Sequence, residues 1–216
     1  MKTTTIKLAA ITLLIGCTGC NDILDKGPRD KFSENDIWGS SELAQAFLYP
    51  TLNDATDKLI SYDHWSDNDI IQDIPGTSNV NKEQIDNYYD DGWNQNVYSQ
   101  IRKCNLMLQK MEQDRKYLTA QAKALRGIIY YTRARLFGKL MIVDKVIGEN
   151  DNMELPRTNT IKETYDFILN DLKESIADLP VTHGSQQGIL TQGAVYALIA
   201  EIALQGAAYI ENGQEE

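Results

Sequence analysis

Apolar residues in the middle of the chain recur at spacings of three and four, the period of a helix that turns one face to a core. Val97, Ile101, Cys104, Leu108 and Met111 form such a face and predict a helix over Val97–Met111. Leu118–Gly138 is apolar on more than one side: Ala122, Leu125, Ile129 and Leu136 make one stripe, with Ala124, Ile128 and Tyr131 beside it. A helix of this kind is expected between other helices. Arg126, Arg133 and Arg135 must then find acids or carbonyls at its margins, and Gly138 is expected to end it. Thr160-Ile161-Lys162-Glu163 reads as a capping box. Behind it Ile161, Tyr165, Ile168, Leu169, Leu172, Ile176 and Leu179 give one clean face, closed by Pro180. A Gly-rich loop leads to Thr191, a cap for a last helix from about Gln192 to Ile210. Its Gly193, Ala194, Ala197 and Ala200 permit close approach by another helix.

Towards the N-terminus the pattern is less regular. Ser40 or Ser41 can cap a helix entered at Glu42 and continued by Leu43, Ala46, Phe47 and Leu52, which Pro50 is expected to kink or divide. Ser61–Gly92 is rich in Asp, Asn and aromatics without a sustained period and contains Pro75-Gly76, so it reads as long loops with short helical turns. The expected fold class is all-α: antiparallel helix pairs with one long, loop-rich insertion. No repeat of fixed period is present, so sequence alone does not make it a solenoid.

Charge narrows the partners. The 216 residues suit one domain with a real core, and they carry a net charge of −10. That sign repels nucleic acid phosphates and anionic lipid heads. DNA binding is excluded.

The first residues have an export character. Met1–Lys7 is a short basic region, and Leu8–Ile15 is apolar apart from one threonine. This run is too short to span a bilayer, which takes about 20 apolar residues, and it fits the apolar region of a secretory signal. Leu14-Ile15-Gly16-Cys17 has the form of a bacterial lipobox, in which the cysteine sulfur takes a diacylglycerol and cleavage frees its amine for a further acyl chain. Several chains give stable anchoring where one would not. Cys20, preceded by Gly19, is the alternative acceptor. Residues 1–19 are thus read as the signal region, 20–40 as a polar tether and 41–216 as the helical domain. Removing the signal takes away Lys2 and Lys7 and no acid, which deepens the negative charge by two. Cys104 lies on an apolar helical face and reads as a buried small hydrophobe.

Several segments resemble the SusD/RagB outer-membrane nutrient-binding lipoproteins. Cys20-Asn21-Asp22-Ile23-Leu24-Asp25 is similar to that family's start, and Phe32 and Trp38 before Glu42 to its first helix entry. Trp93, Tyr98, Ile101 and Asn105 fit a W…Y..I…N pattern. The most specific stretch is Ala120–Val143 (AQAKALRGIIYYTRARLFGKLMIV), similar to the family's A-LRA-YY-L-LFG-PLV helix. Leu155-Pro156-Arg157, Asp171-Leu172 and Leu179-Pro180 resemble the next block, and Gly188–Leu204 (GILTQGAVYALIAEIAL) the following helix. The resemblance implies a tetratricopeptide-like scaffold, lipid-anchored on the outer membrane and facing the cell exterior. It also implies a partner, a TonB-dependent transporter of the SusC type, over which the lipoprotein captures glycans or peptides. The family position of the cysteine favours Cys20, whereas the lipobox favours Cys17. Two departures stand out. Gly138-Lys139-Leu140-Met141 replaces Gly-x-Pro-Leu, and the resemblance covers only the N-terminal portion of a longer pattern. On that reading Gln192–Ile210 is expected to expose an apolar face.

For ligand chemistry, glycans ask for flat aromatic faces beside polar groups. Trp65 with Asp63, Asp67, Asn68 and Asp69 has that composition, as do Tyr88-Tyr89-Asp90-Asp91; the alternative is that these rings fold back as loop anchors. Trp93 fits core packing better. No enzyme is expected: the many acids dress an acidic surface, and His64 and His183 lie far apart with no nucleophile setting. No phosphate-cradling or cofactor motif is present. Asp67-Asn68-Asp69 and Asp90-Asp91-Gly92 do not fit the spacing of a calcium loop, although a weak loop-bound calcium stays open. Oligosaccharide capture is therefore the favoured function, with peptide capture next. The competing readings are a helical-repeat envelope adaptor without a small ligand, a truncated fragment without activity, and, remotely, a lipoprotein hydrolase.

Overall fold

The period-3.6 segments fold as helices at the places their apolar faces predict. The computed structural model describes residues 33–60, 96–111, 115–152, 154–184 and 188–211. Along these run α1 (Glu34–Gly39), α2 (Ser41–Ile60), α3 (Asn96–Lys110), α4 (Lys116–Phe137), α5 (Ile161–Ser175) with a 3-10 turn at Ile176–Asp178, and α6 (Gln192–Glu211). Among the described residues the extended pairing is a single antiparallel bridge between Met141 and Arg157. The fold class is all-α, as expected.

The chain divides into two compact units, Met1–Ile37 and Trp38–Glu216. In the first, Ser33 and Asp36 cap the start of α1 reciprocally: the Asp36 N–H donates to Ser33 Oγ at 3.2 Å, and the Ser33 N–H to Asp36 Oδ2 at 2.9 Å. The tether expected through residue 40 therefore already contains a helix. The remaining helices belong to the second unit.

Ser40 is the cap of α2, its Oγ accepting from the Leu43 N–H at 3.3 Å. Of the two outcomes expected at Pro50, a kink or a division, the division does not occur: α2 runs through it without a break. The buried stripe Ala44, Leu48, Thr51 and Ala55 continues on both sides of the proline, while Pro50 itself faces outward. Burial of that stripe holds the helix against the one backbone bond Pro50 cannot make.

α4 is the centre of the core, packed against α2, α3 and α5. Leu125, Ile128, Ile129, Tyr130 and Tyr131 are all buried on it, which accounts for its several apolar sides. α4 and α5 run antiparallel, as their pairings show. Arg126 reaches Asn105 of α3 and Asp171 of α5, while Lys123, one turn earlier on α4, reaches Glu174, one turn later on α5. α4 stops at Gly138, whose φ of +65° is left-handed and costs little only for glycine.

The capping box before α5 forms with a shift. Thr160 Oγ1 accepts from the Glu163 N–H at 3.1 Å, but the Glu163 carboxylate reaches back to the Asn159 N–H at 2.8 Å, one residue earlier than the usual partner. Thr191 caps α6 through the Ala194 N–H at 3.3 Å. α6 lies so close to α5 that a Cβ on Gly206 would come within 2.9 Å of the Tyr165 ring.

Cys104 is fully buried, as its face predicts. Burial pushes its thiol pKa up to about 12. Because the folded value lies above the unfolded one, its contribution to stability is complete below about pH 9 and is lost as pH rises towards 12. Iodoacetamide at pH 8 is expected to spare Cys104 until urea unfolds the chain, with alkylation following the unfolding curve. Labelling well before unfolding would contradict this burial.

Candidate functional site

The residues named from sequence for anchoring and ligand contact, Cys17, Cys20, Trp65, Asp67, Asn68, Tyr88 and Tyr89, lie outside the described residues, as do Trp93 and the segment 61–92. The structure instead presents a cleft that the sequence did not point to. It forms where the chain leaves α4 and crosses the N-terminal half of α3.

After Gly138 the chain is extended, and beyond its bridge to Arg157 it is held by side chains of α3 and α4. Tyr98 Oη donates to the Met141 carbonyl at 3.4 Å. Asn105 Nδ2 donates to the Val143 and Lys145 carbonyls at 2.9 and 3.0 Å, and Arg102 Nη1 to the Ile147 carbonyl at 2.7 Å. Alternate carbonyls, 141, 143, 145 and 147, are thus all taken by α3, as suits a backbone whose groups alternate sides. From α4, Tyr130 Oη accepts from the Val143 N–H at 2.7 Å, and Arg126 Nη1 donates to the Asp144 carbonyl at 2.9 Å. At the near end the Thr158 N–H donates to the Leu140 carbonyl at 2.9 Å.

Behind this segment stands a buried polar centre. Arg126 grips Asp171 with two prongs, Nε to Oδ2 at 2.6 Å and Nη2 to Oδ1 at 2.7 Å. Its Nη1 donates to Asn105 Oδ1 at 2.7 Å, and its guanidinium lies 5.2 Å from the Phe167 ring centroid. Burial raises the Asp171 carboxyl pKa, and the forked contact with Arg126 opposes that rise. Arg126 is desolvated too, yet the Asp171 carboxylate raises its pKa and holds it protonated. Tyr130 packs edge-on against Phe167 at 5.3 Å, and burial raises its phenol pKa.

The cleft in front has a volume of about 560 Å³, within the range of about 300–1,000 Å³ typical of small-molecule sites. Tyr98 forms one wall; Met141, Val143, Ile147 and Leu155 form an aliphatic floor; Arg102, Lys145 and Glu149 supply its charged groups. Burial raises the Tyr98 phenol pKa, so the ring stays neutral. Such a cleft can hold a flat or apolar group against Tyr98 and the floor while the charged residues meet polar substituents. Among the described residues, no three metal-ligating side chains come together, and no helix is long and apolar enough to cross a membrane.

Asn105, Arg126 and Asp171 left a trace in the sequence: each is a polar residue set into an apolar helical face. The cleft residues 141–155 carry no comparable period.

The comparisons with known proteins bear on the family and the fold. Among curated proteins no match was found. A SusD-like protein of Bacteroides fragilis is 25% identical, with a TM-score of 0.58, over 85% of this chain and 38% of that one. A SusD superfamily protein of Bacteroides thetaiotaomicron is 20% identical with a TM-score of 0.64, over 81% of this chain and 46% of that one. A laminarin-binding SusD-like protein is 21% identical with a TM-score of 0.62, over 79% and 42%. The chain thus spans less than half the length of these solved relatives. Residues 39–204 match a SusD-like family described as starch-binding and associating with the outer membrane. From α2 to the middle of α6 this sequence follows that pattern, and the chain belongs to the SusD-like family.

Proposed function

We propose that this chain is the helical platform of an outer-membrane lipoprotein that captures oligosaccharides for import through a SusC-type TonB-dependent transporter. The observation that carries this reading is the match of residues 39–204 to a starch-binding, outer-membrane-associated family; the laminarin-binding relative supports the same ligand class. The lipid would sit on Cys17 or Cys20, and mass spectrometry of the acylated N-terminal peptide separates the two by three residues. Trp65, Asp67, Asn68, Tyr88 and Tyr89 are proposed to contact the sugar. The protein binds without turnover, since sugar-facing rings and polar side chains suffice for capture and no catalytic pair was found in the sequence.

A second reading, peptide capture, draws on the cleft beside α3. Its floor of Met141, Val143, Ile147 and Leu155 suits an apolar side chain better than a sugar hydroxyl.

The test is binding of the full chain to starch and laminarin oligosaccharides and to a mixed peptide pool, with Trp65→Ala alongside. Oligosaccharide binding that falls roughly tenfold or more in Trp65→Ala, about 1.4 kcal/mol, supports the proposal. Unchanged affinity for every captured ligand removes Trp65 from the site. Binding of neither class overturns the capture function.

A further inference from the structure

We draw no further inference here: the strongest candidate, the cleft between the N-terminal half of α3 and residues 141–155, belongs to the site already described, and nothing in the structure shows what covers its aliphatic floor.

Discussion

Arg126→Met is expected to destabilise the chain by about 3–5 kcal/mol, the usual cost of removing one partner from a buried ion pair. The substitution keeps the volume and the apolar stem but removes every donor. Asp171 is left buried with neither prong of its partner, and Asn105 Oδ1 and the Asp144 carbonyl each lose a charged donor. The sign of the pH dependence follows. Without Arg126 the folded pKa of Asp171 rises further above its unfolded value, so the group favours the folded state most below the unfolded pKa and least once pH exceeds the folded one. The deficit should therefore shrink between pH 7 and pH 4. Urea denaturation at both values measures it. The double substitution Arg126→Met with Asp171→Leu is expected to recover part of the loss, because it removes the stranded charge. A deficit under about 1 kcal/mol, the level of an exposed pair, would show that the pair is not the buried centre described here.

Tyr130→Ala is expected to be as costly, about 3–5 kcal/mol, as for other large aromatic truncations. The ring is 1% exposed and packs against Phe167, so its loss leaves a cavity between α4 and α5. Tyr130→Phe separates the hydroxyl from the ring. It strands the Val143 N–H, which now donates to the phenol at 2.7 Å, for about 1–3 kcal/mol. Hydrogen exchange at Val143 distinguishes the two roles. The amide should exchange faster in Tyr130→Phe, while amides of α5 remain protected. If the Val143 amide is unaffected, the phenol is not what holds the extended segment.

The helices were readable because their evidence is local. Thr160, Thr191 and Gly138 act within four residues of themselves, and the apolar faces of α3 to α6 repeat within a turn. α4 announced its central place through apolar residues on several sides. The need of its arginines for acids or carbonyls was also visible, and Arg126 meets it with both. Which acid it would choose was not. Asp171 is 45 residues away, and nothing nearby sets it apart from the other acids of an acidic chain. That Pro50 leaves α2 undivided has a related reason: a local rule weighs its missing N–H, whereas the burial that keeps α2 continuous is tertiary. The cleft was the least legible part. Its floor has no period of its own, and its shape is imposed by Tyr98, Arg102, Asn105, Arg126 and Tyr130 from two other helices.

The clasp on residues 141, 143, 145 and 147 divides labour along this stretch. Up to Ile147 the backbone is tied to the scaffold. The described residues between Gly148 and Glu154 bond within the loop and to Lys145, and the next anchored points are Arg157 and Thr158. Insertions or deletions there would reshape the mouth of the cleft without loosening a helix. Selection for a new ligand could therefore act on that short span while the load-carrying part of the fold stays as it is.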